Sequence, residues 1–150
     1  MKLRVIIVDH EGEINVGFIA RLTENFEVDE LYIVNPKIKI GEEARRFAAK
    51  ALHVFDNKTK IVSSLKEALQ GVELSGCTSA IVGSPGDFLR HSISIEKFAE
   101  LAMNYSTVAL VFGRESVGLK REELSQCDFV VYIPASIKYS ALNVSHAAAI

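Results

Sequence analysis

No stretch of this 150-residue sequence approaches the roughly 18 consecutive apolar residues of a membrane span. The N-terminus runs apolar only from Leu3 to Val8 before Asp9 and Glu11, which reads as a strand and not a signal peptide. An excess of charge is also missing: 17 Lys and Arg stand against 19 Asp and Glu, for a net charge of −2. That counts against a protein coated in positive charge for nucleic acid, and leaves room for a local basic patch. Cysteine is scarce. Cys77 and Cys127 lie far apart, without the density of a disulfide scaffold, and read as reduced thiols of a cytoplasmic protein. Neither the cysteines nor His10, His53, His91 and His146 show metal-ligand spacing, so the histidines read as surface or internally satisfied residues. Linkers, repeats and low-complexity segments are absent. A hydrophobic content of 49% with charges of both signs argues against disorder and for one domain with a real core.

What is present is an alternation of strands and helices. Short apolar runs at Leu3–Val8, Leu31–Val34, Thr78–Val82, Thr107–Phe112 and Phe129–Ile133 read as strands. Between them, helical spacing appears from Asn15 to Phe26 and from Glu42 to Leu52. It returns around Leu65, Ala68, Leu69 and Val72, then over Ile95–Met103 and Arg121–Cys127, and last from Leu142 to Ile150. Ser64 through Glu67 fits a capping box, Ser94 is a fair cap, and Gly83-Ser84-Pro85-Gly86 is a turn by composition. Strands apolar on both faces predict an α/β fold, a mostly parallel sheet with helices on both faces.

Two strand ends carry polar loops that lead into helices: Gly113-Arg114-Glu115-Ser116-Val117-Gly118, and Pro134 through Ser145. An open α/β sheet builds its ligand sites at such ends. The first loop is not a phosphate loop: Leu119 follows the second glycine, Lys120 comes one place late, and Glu115 sets an anion where phosphates would sit. Gly12 and Gly17 follow a strand but lack the third glycine of a dinucleotide loop. Ser84, Ser116 and Ser140 lie in no G-x-S-x-G elbow, so a serine hydrolase has no support. Asn15 and Arg21 are about 1.7 helical turns apart, and spacing alone favours a surface role for Arg21. Arg45, Arg46, Lys50, Lys58 and Lys60 could face RNA, though a solvated helix face is the commoner use of such a cluster.

Three segments, in order, carry a resemblance that covers nearly the whole chain. The first is Glu11-Gly12-Glu13-Ile14-Asn15-Val16-Gly17-Phe18-Ile19-Ala20-Arg21, with Asn25-Phe26 and Leu31 through Pro36 behind it. The second is Leu110 through Leu119, with Glu122-Glu123-Leu124 and Cys127-Asp128. The third is Ile133-Pro134 through Tyr139-Ser140-Ala141-Leu142-Asn143-Val144-Ser145. Together they resemble the SPOUT superfamily of RNA methyltransferases, its 2′-O-ribose (SpoU/TrmH) branch, and within that the TrmJ-type tRNA enzymes of archaea. The resemblance implies one SPOUT methyltransferase domain over residues 1–150, with a C-terminal deep trefoil knot. It also implies homodimers, and S-adenosyl-L-methionine held by loops at Val82–Gly86, Phe112–Gly118 and Ile133–Leu142. The cofactor-binding positions would be Val82, Gly83, Ser84, Gly113, Glu115, Gly118, Ile133, Ser140 and Leu142, with Ile133 and Leu142 walling the adenine.

The same resemblance places Asn15, Arg21, Glu115 and Asn143, with Ser140 beside them, around the transferred methyl group. The implied reaction is attack of a tRNA ribose 2′-hydroxyl, on an anticodon-loop cytidine, on a sulfonium methyl. Arginine stays protonated at neutral pH, so Arg21 would bind phosphate and orient the hydroxyl while Glu115 fixes its guanidinium. The chain departs from the family pattern in two places. Ala141 stands where serine is usual, and Glu13-Ile14 replace a proline and one fewer residue before Asn15. A stop in mid-helix leads to the expectation of a missing C-terminal extension. Two function classes stay open: the methyltransferase, and a non-catalytic dimeric RNA- or cofactor-binding module of the same fold. Retained Arg21, Glu115 and Asn143 favour the first.

Overall fold

The structure, a computed structural model, describes residues 1–80 and 92–150. Seven strands form one parallel sheet: β1 (Lys2–Val8), β2 (Glu30–Val34), β3 (Thr59–Val62), β4 (Leu74–Thr78), β5 (Ser92–Ser94), β6 (Thr107–Phe112) and β7 (Phe129–Tyr132). Their order across the sheet is β3-β2-β1-β6-β4-β7-β5. The sheet therefore grows outward in both directions from the β1–β6 pair, and β7 lies between two strands that precede it in the chain.

Alternation along β1 assigns its faces. Val5 and Ile7 pack with Val16, Ile19 and Ala20 of α1 (Glu13–Asn25) and with Ala44 and Ala48 of α2 (Glu42–Ala48). Ile6 and Val8 pack the other way, with Leu65 and Ala68 of α4 (Leu65–Ala68) and Leu124 of α6 (Arg121–Leu124). Farther along the sheet, Phe98 and Ala102 of α5 (Ile95–Ala102) cover Leu74, Val108 and Val131. Each fully buried side chain of this size contributes about 1.5–3 kcal/mol. The buried charged residue of β1, Arg4, is satisfied. Its Nε donates to Glu30 at 2.7 Å, its Nη1 donates to the Ala68 and Gln70 carbonyls at 2.6 and 2.9 Å, and its guanidinium stacks on Tyr32.

Several expectations change. The Glu42–Leu52 helix breaks: α2 stops at Ala48, a 3₁₀ turn follows at Ala49–Ala51, and α3 is His53–Asn57. Ala49 takes a φ of 53°, which no α-helix accommodates. β4 begins four residues before the expected Thr78, because buried Ser75 and Gly76 hid its apolar pattern; the remainder of that expected strand, and the Gly83–Gly86 turn, lie outside the described residues. The edge strands β3 and β5 had no apolar signal, and the last helix, α7, is Val144–Ala149.

The cysteines are corrected outright. Cys77 and Cys127 are 50 residues apart, yet β4 pairs with β7, and the two form a disulfide with Cα atoms 5.7 Å apart. The argument from reduced thiols to a cytoplasmic protein is thereby lost. Among the described residues no helix is long and apolar enough to cross a membrane.

Gly17 is where α1 meets α2 most closely. A Cβ there would overlap the Ala44 carbonyl and come within 2.7 Å of Phe47 Cβ. Gly17→Ala should therefore push the two helices apart and cost about 1–3 kcal/mol, read as a lower urea midpoint at unchanged slope.

Candidate active site

The loops after β1, β6 and β7 converge at the carboxyl edge of the sheet, beside the β1–β6 pair from which it grows both ways. Ligands of open α/β sheets bind at such a place. The loop after β6 is a tight closed turn. Arg114 N–H donates to Gly118 O at 3.2 Å and Gly118 N–H donates back to Arg114 O at 2.9 Å. Gly118 has a φ of 68°, and a Cβ on Gly113 would run into the backbone of Gly118 and Leu119, so both positions demand glycine.

Three consecutive residues of this turn reach back to the β1 loop. The buried Arg114 guanidinium uses all five of its N–H groups. Nε and Nη2 donate to Asp9 Oδ2 at 3.1 and 2.5 Å. Nη1 and Nη2 donate to Glu123 at 3.0 and 2.7 Å, and Nη1 also donates to Gly118 O at 3.1 Å. Glu115 Oε2 accepts from Glu11 N–H at 2.9 Å, and its Oε1 accepts from Gly12 N–H at 3.3 Å and from Asn15 Nδ2 at 3.2 Å. Ser116 donates from N and Oγ to the Glu11 carboxylate at 3.0 and 2.8 Å.

The electrostatics follow from this geometry. Burial alone raises the Asp9 carboxyl, but hydrogen bonds from Arg114 and Asn35 and the charges of Arg114 and Lys37 outweigh it, holding Asp9 below the usual carboxylate range. Glu123 is likewise lowered: against burial stand the Arg114 hydrogen bonds, the Lys120 N–H and the Arg114 charge. Arg114 itself is held more firmly protonated, chiefly by Glu123.

Beside this knot of bonds lies a cavity of about 450 Å³, within the range of small-molecule sites. It is lined by the expected Gly113, Glu115, Gly118, Ile133, Ser140 and Leu142, by Arg114 of the expected Phe112–Gly118 loop, and by unforeseen Thr78, Leu119, Leu124 and Val131. A smaller hollow behind it is lined by Asn15, Glu115, Gly113, His10 and Val144. Val82, Gly83 and Ser84 lie outside the described residues.

Asn143 is not on the cavity lining; it caps α7, its Oδ1 accepting from Ser145 N–H at 2.9 Å and Ser145 Oγ at 2.7 Å. Arg21 is exposed on α1 and is not brought to Glu115, whose two oxygens are already occupied by the β1 loop and Asn15. Within one copy of the chain Arg21 and Glu115 therefore do not pair among the described residues. The basic cluster that runs from α2 to β3 is partly neutralised, with Lys58 on Glu24 at 3.3 Å and Arg45 on Asp56 at 4.0 Å. His53 is a surface residue beside Glu24, but His10 is buried, against expectation. Among the described residues no cluster of His, Cys, Asp and Glu is placed to hold a metal ion.

Sequence reasoning missed Arg114, Asp9 and Glu123 as a unit. The available signal was a charged residue at each of two apolar strand ends, with a third in the following helix.

A parallel sheet with a glycine-tight pocket at this edge defines an α/β ligand-binding or group-transfer domain. More specifically, the chain belongs to the SpoU rRNA Methylase family, whose sequence pattern it matches over residues 2–150. It is similar to the tRNA (cytidine-2′-O-)-methyltransferase TrmJ of Sulfolobus acidocaldarius, at 46% identity over all of this chain and 63% of that protein. The protein of the same description from Methanocaldococcus jannaschii is 36% identical over 99% of this chain and 64% of that protein. A solved structure, a probable methylase family protein from Haemophilus influenzae, superposes with a TM-score of 0.88 at 30% identity, covering 98% of this chain and 61% of that one. The chain thus spans somewhat less than two thirds of the curated relatives it matches.

Arg114→Met should leave Asp9 and Glu123 buried without their cation and cost about 3–5 kcal/mol in urea unfolding. The pH dependence has a definite sign. Both carboxyls titrate lower folded than unfolded, so their stabilisation is present above the unfolded values of about 4 and is lost as pH falls through the folded ones. Wild-type stability should drop below about pH 4, and Arg114→Met should lack that share of the drop.

Proposed function

We propose that this chain is the catalytic domain of an S-adenosylmethionine-dependent methyltransferase acting on a ribose 2′-hydroxyl of tRNA, on a cytidine of the anticodon loop. The observation that carries the reading is the junction of a cavity sized for a small cofactor with the Glu115–Asn15 pair, in a chain of this family. The archaeal relatives, both tRNA (cytidine-2′-O-)-methyltransferases, support the substrate.

The residues present fit the cofactor. Ile133, Leu142, Leu119 and Val131 offer apolar walls for a base, while main chain at Gly113 and Ile133 can approach its polar edge. When bound, S-adenosylmethionine supplies a sulfonium methyl. The protein's part is to hold the hydroxyl about 3 Å from that carbon and to organise the approach. Glu115 and Asn15 fix the wall nearest the transfer. Asn143, with its side-chain N–H groups left over from capping α7, binds the ribose, and Ser140 lies beside it on the cavity wall. Arg21 binds an RNA phosphate and orients the hydroxyl.

The working form is a homodimer. Ile14, Phe18 and Arg21 share one stripe of α1 by helical spacing, and all three are exposed. A second copy laid on that stripe covers the two apolar side chains and offers Arg21 a site across the interface. The chain also forms the family's trefoil knot, a reading supported by the position of β7 between β4 and β5. A tRNA substrate puts the working enzyme in the cytoplasm.

Calorimetric titration with S-adenosylmethionine should show binding that ATP and NAD do not. Tritium-methyl transfer to tRNA should then fall by about 10²-fold in Arg21→Ala and in Asn143→Ala, with the cofactor still bound. Selective binding without transfer, even in a longer chain, would favour the non-catalytic module instead.

A further inference from the structure

His10 is the one buried side chain of the described residues whose polar atoms go unanswered. It is 3% exposed, and neither Nδ1 nor Nε2 has a hydrogen-bond partner. The Ile38 backbone lies nearby without closing a hydrogen bond of ordinary geometry. An unsatisfied buried polar group costs about 1–3 kcal/mol, so its place needs a reason. The place is the small hollow whose wall also includes Asn15, Glu115 and Gly113.

The charges facing the ring are three carboxylates. Asp9 is already neutralised by Arg114, with Lys37 at 3.9 Å. Glu13 accepts from Gly41 N–H and is not part of the hollow. Glu115 is in the hollow and is held only by neutral N–H donors, from Glu11, Gly12 and Asn15. The helix on the far wall contributes only apolar Val144. A second N–H on the ring would therefore find Glu115 the most available acceptor.

We propose that His10 is a positioning residue for the methyl-transfer site, a role that rests on the function assigned above. As a neutral imidazole it supports the Glu115–Asn15 pair from behind; as an imidazolium it draws the Glu115 carboxylate off the β1 loop and disables the site. Burial favours the neutral ring, against the pull of Glu115, Glu13 and Asp9, and lowers its titration below the ordinary 6.5. The site is thus assembled at neutral pH and lost on the acid side.

The test is the pH profile of tritium-methyl transfer to tRNA for the wild type and for His10→Gln, which cannot titrate. Wild-type transfer should fall about tenfold per pH unit below the His10 titration, and the residual transfer of His10→Gln, taken relative to its own neutral-pH value, should lack that acid limb. The wild-type ring, followed by NMR, should titrate at the midpoint of the limb. That measurement decides the matter should the variant fail to fold. A shared acid limb in both proteins, or a ring that titrates elsewhere, overturns the role of His10 and leaves the methyltransferase reading intact. A folded variant inactive at every pH overturns the proton-linked role. No transfer by wild type at any pH removes the methyltransferase reading and this role with it.

Discussion

Arg114 is the constraint on which the carboxyl edge of this fold depends. Its guanidinium sits between Asp9, at the end of β1, and Glu123, in α6, and bonds to both while also holding Gly118. Without it the turn after β6 would keep its own two backbone hydrogen bonds and the bonds of Glu115 and Ser116 to the β1 loop, but lose its side-chain ties to Asp9 and Glu123. With it, the turn is fixed to the ends of both elements that flank it. A buried ion pair of this kind is weak evidence for net stability, because desolvation offsets much of the attraction. Its value here lies in geometry: five directed donors leave one orientation for the turn. Glu115 and Ser116, the next two residues, are then placed where they can fasten to the β1 loop.

That fastening explains why the site belongs at the β1–β6 junction. Parallel pairing from Lys2↔Thr107 to Ile7↔Phe112 brings the two strands to the same edge in register. The chain leaves β1 toward α1 and leaves β6 toward α6, so the two loops diverge and open a space between them. The β7 loop and α7 close that space from the side, bringing Ile133, Leu142 and Val144 to it. The disulfide and the hydrogen bonds from Ser75 to Asp128 tie β4 to the start of β7, which steadies that side.

Much of this was legible in the residues. The four apolar strands β1, β2, β6 and β7 and the helical spacing of α1 and α5 are set by burial, and burial writes a periodic pattern. The glycines of the β6 turn were legible for the same reason that they are needed, since no other residue fits there. What stayed hidden was set by contacts between distant segments. Arg114 looked like any loop arginine, because Asp9 lies 105 residues away in sequence. Cys77 and Cys127 looked like separate thiols until β4 and β7 paired. His10 looked like a surface histidine because it follows a strand among acids. Edge strands β3 and β5 bury little and so carry little pattern.

The two departures from the family pattern can be weighed by what neighbouring groups already do. Ala141 lines the cavity without a hydroxyl, but α7 does not need one there. Asn143 and Ser145 satisfy the start of that helix between them, and Ser140 keeps a hydroxyl on the cavity wall one residue away. The lengthened segment itself, Glu13-Ile14, opens α1. Glu11 N–H and Gly12 N–H both donate to Glu115, Glu11 accepts from Ser116, and Glu13 accepts from Gly41 N–H. Both changes leave the pocket, its glycine turn and the hold on Glu115 in place.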